Sequence, residues 1–181
     1  MPRLFVAIDF PEEVNRQLIG LCKGIQKAKW IKPGQIHLTL KFVGEATDDQ
    51  AELLKLALEE INVPAFDLKL KGTGTFPPPE EHHRPRVLWA AVEAGPELYE
   101  LQKKTDHATQ QAGIKTNQEH FTAHVTLARF RQAPGADLKT WQTRHQNFET
   151  QLLRVNEFHL IESTLTPDGA IHAPVQSFPL T

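Results

Sequence analysis

Two short segments of the sequence combine histidine with threonine at the same spacing. Residues 37–40 read His-Leu-Thr-Leu, and residues 124–127 read His-Val-Thr-Leu. In a β-strand, residues i and i+2 point to the same face. Each motif is therefore predicted to place an imidazole beside a hydroxyl, with the apolar residue between them pointing into the core. One such motif alone is better explained as a structural histidine, but two copies favour a functional pair.

Two such imidazole–hydroxyl pairs suit substitution at a phosphodiester. The reaction needs a base to take the proton from the attacking oxygen and an acid to protonate the leaving oxygen, and histidine serves as either near neutral pH. Threonine hydroxyls can donate to the non-bridging oxygens and help bear the charge of the transition state. The sequence predicts His37 and His124 as catalytic residues and Thr39 and Thr126 as phosphate ligands. It does not say which histidine is the acid.

Motifs for other site chemistries are absent from the sequence. It contains no His-Glu-x-x-His, Cys-x-x-Cys or acidic cluster that would predict a metal site, and no Gly-x-x-x-x-Gly-Lys loop for a nucleoside triphosphate. We therefore expect no metal ion and no cofactor. Two alternatives stay open: a module that binds a nucleotide without turnover, and a two-histidine phosphodiesterase for other small cyclic phosphates or 2′-5′ oligonucleotides.

The elements predicted around the motifs occur in the same order twice: strand, helix, histidine strand, helix, strand. The first set comprises strands over 4–10, 36–43 and 66–70 and helices over 11–27 and 47–61. The second set comprises strands over 87–92, 124–130 and 152–165 and helices over 95–112 and 137–146. We predict one two-lobed domain built by internal duplication, with approximate repeats 3–76 and 86–165 and a closing strand over 171–180. A proline-rich, exposed loop over 76–85 joins the halves.

Composition limits the class of protein. The chain has 181 residues, with 20 basic and 22 acidic side chains and a formal net charge of −2. A broad nucleic-acid interface usually shows as a strongly basic face, so any contact with RNA is expected to be local, to a terminal phosphate and one or two nucleotides. No secretory signal and no run of about 18 apolar residues is present. We expect a cytoplasmic protein, not bound to a membrane, and a monomer.

Together these segments resemble the bacterial 2′-5′ RNA ligase family, also called RNA 2′,3′-cyclic phosphodiesterases, of the two-histidine phosphoesterase superfamily. The segments concerned are 3–9 (RLFVAID), 37–44 (HLTLKFVG), 85–89 (PRVLW), 124–129 (HVTLAR), 162–165 (ESTL) and 178–180 (FPL). One departure is Ala123, where the family usually has proline before the second motif. The resemblance implies a bilobed, pseudo-two-fold α+β fold, with two antiparallel sheets facing a central cleft and helices on the outer faces.

The resemblance also implies an activity. Family members hydrolyse an RNA 2′,3′-cyclic phosphate to a 2′-phosphate end. They also join tRNA halves through a 2′-5′ bond, in a weaker, reversible reaction that uses no ATP. The implied partners are RNA ends with a 2′,3′-cyclic phosphate, such as tRNA halves, or nucleoside cyclic phosphates.

Further substrate contacts are expected near each motif. Lys41 has the same strand parity as His37, so it is predicted to point toward the cleft. Arg129 has the opposite parity to His124, yet the resemblance suggests that it approaches the substrate, which would require a twist or a bulge. Phe42 also has the opposite parity and is expected to pack in the core. Ser163 is a weaker candidate for contact with phosphate.

Overall fold

The computed structural model describes residues 1–117 and 120–181. These residues contain nine β-strands and four α-helices. The strands are β1 (Arg3–Ile8), β2 (Ala28–Trp30), β3 (Leu38–Glu45), β4 (Phe66–Phe76), β5 (Val87–Ala94), β6 (His124–Phe130), β7 (Leu153–Val155), β8 (Glu157–Thr166) and β9 (Gly169–Pro179). The helices are α1 (Glu12–Leu21), α2 (Asp48–Glu59), α3 (Pro96–Gln111) and α4 (Asp137–Arg144).

The strands form two sheets in which every neighbouring pair is antiparallel. The first sheet has the order β3-β1-β8-β9, and the second has the order β2-β6-β5-β4-β7. The predicted α+β class with two antiparallel sheets is confirmed. The last strand of each half lies in the other half's sheet, since β4 pairs with β5 and β8 pairs with β1. This matching order supports the internal duplication, which stays a prediction.

Side-chain hydrogen bonds lie at the start of α2 and at the end of α1. The Thr47 side chain accepts a hydrogen bond from the backbone N–H of Gln50 at 3.1 Å, and the Gln50 side chain accepts from the N–H of Thr47 at 3.0 Å. This reciprocal cap starts α2 where the sequence predicts it. Helix α1 ends at Leu21, earlier than predicted, and the indole N–H of Trp141 in α4 donates to the Leu21 carbonyl at 2.8 Å.

Two strand predictions needed correction. The predicted strand over 152–165 is two strands, β7 and β8, which lie in different sheets. Strand β2 was not predicted; it adds an edge to β6, with Trp30 opposite Ala128. Both differences depend on pairing partners distant in the sequence, and the local pattern of apolar residues does not reveal such partners.

Both histidine strands carry an irregularity at the same place relative to the motif. In β3, Lys41 pairs with Val6 and Thr39 pairs with Ala7, which leaves Leu40 without a partner position on β1. In β6, Thr126 pairs with Trp89 and Ala128 pairs with Leu88. Because the two β5 residues are consecutive, Leu127 is the extra residue in β6. A bulge of this kind reverses the side-chain alternation beyond it. Each motif is thus followed by a change of face.

Within the described residues, no helix combines the length and the apolar character needed to cross a membrane. The cytoplasmic location and the monomeric state stay predictions.

Candidate active site

A cavity of about 530 Å³ has walls from both sheets. Three of the four motif side chains line it, namely His37 and Thr39 from the first sheet and Thr126 from the second. Three basic side chains also line it: Arg3, Lys29 and Arg129. The cavity therefore combines hydroxyl donors, an imidazole and positive charge, which suits an anionic ligand.

His37 is held beside a carboxylate. Its Nε2 lies 3.1 Å from Oδ1 of Asp9, and its side chain is only 12% exposed. The hydrogen bond to His37 is the main reason that the pKa of Asp9 is lowered, so this side chain is an ionised carboxylate at neutral pH. A carboxylate can only accept hydrogen bonds. The proton between the two groups is therefore carried by Nε2 of His37.

His124 has an apolar surrounding instead. Its ring lies edge-on to Phe76, with a centroid distance of 5.0 Å, and 6.0 Å from the ring of Trp89. Nδ1 lies 2.6 Å from the Thr122 carbonyl oxygen, which can only accept, so Nδ1 carries a proton. Burial lowers the pKa of His124 and outweighs the opposite effect of the Thr122 carbonyl, and the charge of Arg129 lowers the pKa further. The neutral ring is favoured, with its lone pair on Nε2.

His124 is not one of the residues that line the cavity. It starts β6, two residues before Thr126, on the same face of the strand. The structure thus brings His37, Thr39 and Thr126 into one volume and places His124 two residues before Thr126 in the same strand. The two histidines, alike in their motifs, have different surroundings: an ionised carboxylate at one and aromatic rings at the other.

The two bulges decide which neighbouring residues reach the cavity. Arg129 lines it, as the resemblance implies, because the bulge at Leu127 turns it to the face of Thr126. Phe42 lines it too and is 67% exposed, so the expectation that it packs in the core was wrong. Ser163 also lines the cavity.

Lys41 does not face the cavity, contrary to the parity prediction. Its Nζ lies 2.7 Å from Oδ1 of Asp106 in α3 and 3.2 Å from the Asn117 carbonyl oxygen. Lys41 lines a separate cavity of about 250 Å³ with Tyr99 and Asp106. The parity rule failed because the bulge at Leu40 lies between His37 and Lys41. Lys41 is therefore withdrawn as a substrate contact.

Sequence reasoning missed several residues around the two histidines. Asp9 directly follows a buried strand and lies in the 3–9 segment, which is the one signal that could have identified it. His172 of β9 lines the cavity, 5.5 Å from the His37 ring between centroids. Burial and the charge of His37 lower its pKa. His172 belongs to no motif, and nothing in the local sequence distinguishes it.

Among residues 1–117 and 120–181, no group of three or more His, Cys, Asp or Glu side chains is arranged to hold a metal ion.

The aromatic rings beside His124 depend on a glycine. A Cβ atom built at Gly74 in β4 would overlap the Trp89 indole on the neighbouring strand. We expect Gly74→Ala to displace this ring and to lower the free energy of unfolding by about 1–3 kcal/mol, the usual cost of overpacking. The NMR resonances of the His124 ring should shift as well. Denaturant unfolding and histidine ring spectra measure both effects.

The matched control is Gly20→Ala in α1, where an added Cβ meets nothing within 4 Å. An alanine is more favourable than glycine inside a helix, so this variant should be as stable as the parent or more so. An unchanged His124 spectrum in Gly74→Ala would show that Trp89 does not hold that ring.

Comparison with known proteins gives a match over almost the whole chain. The family model described as the 2′-5′ RNA ligase superfamily matches residues 13–166. The RNA 2′,3′-cyclic phosphodiesterase of Aquifex aeolicus is 34% identical over 178 residues, covering 96% of this chain and 88% of that protein. The RNA 2′,3′-cyclic phosphodiesterase of Archaeoglobus fulgidus is 27% identical over 179 residues, covering 97% and 99%.

Solved structures also align with nearly the whole chain. The crystal structure of E. coli LigT complexed with 3′-AMP has a TM-score of 0.80 at 26% identity, covering 100% of this chain and 99% of that one. A protein of Thermus thermophilus has a TM-score of 0.79 at 26% identity, covering 98% and 97%. The same fold and the same length are therefore shared with these proteins.

Proposed function

The chain belongs to the 2′-5′ RNA ligase superfamily, and on that premise we propose that it hydrolyses RNA 2′,3′-cyclic phosphate ends to 2′-phosphate ends. The observation that carries the proposal is the cavity in which His37, Thr39 and Thr126 meet, with His124 two residues before Thr126 in β6. Relatives similar over nearly the full length are RNA 2′,3′-cyclic phosphodiesterases. The two motifs supply the acid, the base and the phosphate donors that this reaction needs.

The size of the cavity suits an RNA end rather than a long RNA segment. A volume of about 530 Å³ is in the range of small-molecule sites. The related E. coli LigT was solved in complex with 3′-AMP, a mononucleotide. A net charge of −2 gives no reason to expect long-range attraction of a polyanion. The substrate contact is therefore a terminal cyclic phosphate and its nucleoside.

His124 is the general base in this proposal. Its neutral form is favoured by burial, and its lone pair lies on Nε2 because Nδ1–H donates to the Thr122 carbonyl. Nε2 takes a proton from a water molecule, and the water oxygen forms a bond to phosphorus. Without a base, attack by water would be far slower, because positive charge would develop on the water oxygen with no group to take its proton.

His37 is the general acid. The bond between phosphorus and the 3′-oxygen breaks as the new bond forms, and His37 gives a proton to the leaving 3′-oxygen, so the phosphate stays on the 2′-oxygen. The ionised Asp9 at 3.1 Å stabilises the charged ring that this role requires. Thr39 and Thr126 donate to the non-bridging oxygens, where negative charge builds up. No metal ion is needed for any of these steps.

Ligation is the same chemistry with another attacking oxygen. When a 5′-hydroxyl of a second RNA replaces water, the product is a 2′-5′ phosphodiester and a free 3′-hydroxyl. The cyclic phosphate already carries the phosphoryl group, and its bond between phosphorus and the 3′-oxygen is exchanged for the new bond to the 5′-oxygen. No ATP is therefore consumed. Because bonds of similar kind are exchanged, this side reaction is reversible and weak in water.

The test is hydrolysis of a nucleoside 2′,3′-cyclic phosphate in excess EDTA, with separation of the 2′- and 3′-phosphate products. We expect undiminished turnover and a 2′-phosphate. Loss of activity under chelation would refute the metal-free mechanism. Binding by calorimetry without any product would favour a nucleotide-binding module instead. A panel of other cyclic phosphates and 2′-5′ oligonucleotides identifies a different substrate if the cyclic nucleotide is inert.

Arg129 is expected to bind the substrate rather than to react with it. Arg129→Gln should raise KM by about 10- to 10²-fold, the loss of one hydrogen bond to a charged group, with a smaller change in kcat. The control is Arg131→Gln, which removes the same charge from an exposed residue just beyond β6 that does not line the cavity. Initial rates over a range of substrate concentrations separate the two constants. Equal KM values in the two variants would contradict the role of Arg129.

A further inference from the structure

Within residues 1–117 and 120–181, one ionisable side chain outside the two motifs is buried. Among the described residues, the buried polar side chains are four threonines and His159 of β8, which is 7% exposed. Burying an imidazole is unfavourable unless hydrogen bonds replace its hydration. His159 lies opposite Ala7 of β1 on one side and opposite Ser177 of β9 on the other. It is thus placed in the middle of the first sheet, close to the end of β1.

Both ring nitrogens of His159 have partners. Nδ1 lies 2.8 Å from Oγ of Ser177. Nε2 lies 3.4 Å from Oδ2 of Asp9, the residue that follows β1, and 3.8 Å from Oε1 of Glu157. The other oxygen of Asp9, Oδ1, is the one that lies 3.1 Å from Nε2 of His37. The two oxygens of this carboxylate are therefore divided between a motif histidine and a buried one.

We infer that Asp9 is the positioning residue of His37, and that His159, itself held by Ser177, fixes Asp9 in that position. This inference rests on the proposed function, because it assigns Asp9 a part in the same reaction. The Asp9 side chain is 49% exposed, so without a second partner it would be free to turn toward water. The contact with His159 opposes that rotation. Asp9 then keeps the proton on Nε2 of His37 in both protonation states of the ring.

Two consequences follow for His37. The proton that it exchanges with the substrate is the one on Nδ1, since Nε2–H stays with the carboxylate. The charged form of the ring is stabilised by an anion 3.1 Å away. The other titratable groups around this network are His172, whose pKa burial lowers toward the neutral form, and Glu157 beyond His159. Asp9 is thus the charged group in direct contact with His37 among the described residues.

The first test is Asp9→Asn, which keeps the shape of the side chain and removes its charge. We expect kcat to fall about 10- to 10²-fold, the effect of one hydrogen bond to a charged group, while KM stays within about twofold. Asp67→Asn is the matched control; Asp67 pairs with Arg154, and its side chain is similarly exposed, at 45%.

A second pair of variants tests His159. His159→Leu should lower kcat in the same direction as Asp9→Asn, and His159→Gln should recover part of the loss, because its amide N–H can donate to Asp9 in place of the imidazole contact. A merely structural role of His159 would lower stability without lowering kcat, and His159→Gln would then restore no activity. Normal kcat in Asp9→Asn, in a parent enzyme that is active, would overturn the inference.

An NMR measurement keeps this inference separate from the proposed function. In ¹⁵N-labelled protein, the ring spectra of neutral His37 should report the Nε2–H tautomer, and Asp9→Asn should raise the fraction of the Nδ1–H tautomer. This readout needs no substrate. If the parent lacks phosphodiesterase activity but shows these tautomers, the proposed function fails and the positioning by Asp9 stands. If Nε2 carries no proton in the parent, the positioning role is wrong.

Discussion

Replacing His124 with alanine is expected to reduce kcat for a nucleoside 2′,3′-cyclic phosphate by about 10²–10⁴-fold, the usual contribution of a general base. Burial beside the aromatic rings of Phe76 and Trp89 favours the neutral imidazole, and the hydrogen bond from Nδ1 to the Thr122 carbonyl leaves Nε2 free to accept a proton. Alanine leaves the attacking water without an acceptor. His37→Ala should cause a loss of the same order, because the leaving oxygen then departs without a proton.

The pH profile distinguishes the two variants. The base must be neutral, so activity rises with pH through the pKa of His124, which burial places below the ordinary value of about 6.5. This acidic limb should disappear in His124→Ala, whereas His37→Ala should lose the alkaline limb. Rates of hydrolysis measured across the pH range give both limbs. If His124→Ala instead lost the alkaline limb and His37→Ala lost the acidic limb, His37 would be the base and His124 the acid.

The control for the histidine variants is His107→Ala. His107 is exposed on α3, and alanine suits a helix, so activity and stability should stay close to those of the parent. Near-normal turnover in either His37→Ala or His124→Ala would contradict the paired mechanism, whatever the state of the other histidine.

The second large effect is expected at the threonines. Thr39→Val and Thr126→Val remove a hydroxyl from the cavity and keep nearly the same shape. Each should lower kcat by about 10²–10³-fold, the range for loss of one donor to developing negative charge. KM should change little, because the hydrogen bond strengthens as charge builds up in the transition state. Steady-state rates measure the two constants.

Conservative variants test whether the hydroxyl itself matters. Thr39→Ser and Thr126→Ser keep the donor and should retain most of the activity. Thr164→Val, at an exposed position of β8 that does not line the cavity, should leave it unchanged. If the serine variants were as impaired as the valine variants, the methyl group and its packing would be the important part of these side chains, not the hydrogen bond.

The sequence was informative where structure depends on short-range patterns. The His-x-Thr spacing by itself places an imidazole and a hydroxyl on one face of a strand, and β6 has the predicted bounds His124–Phe130. The Thr47 cap of α2 also follows from neighbouring residues. The α+β class was implied by the family resemblance of several short segments, and the order of strands and helices along the chain predicted the internal duplication. These features need no knowledge of which strands pair.

Tertiary structure decided what surrounds each motif. The bulges at Leu40 and Leu127 exist only relative to β1 and β5, so parity counted along one strand misplaced Lys41 and Phe42. The contact from Asp9 to His159 joins residues far apart in the sequence through the pairing of β1 with β8. Side-chain alternation is a local property of the backbone, whereas register and burial are set by partners that folding brings together. The sequence therefore determined the two histidine–threonine pairs, and the fold gave one histidine a carboxylate and the other an aromatic surrounding.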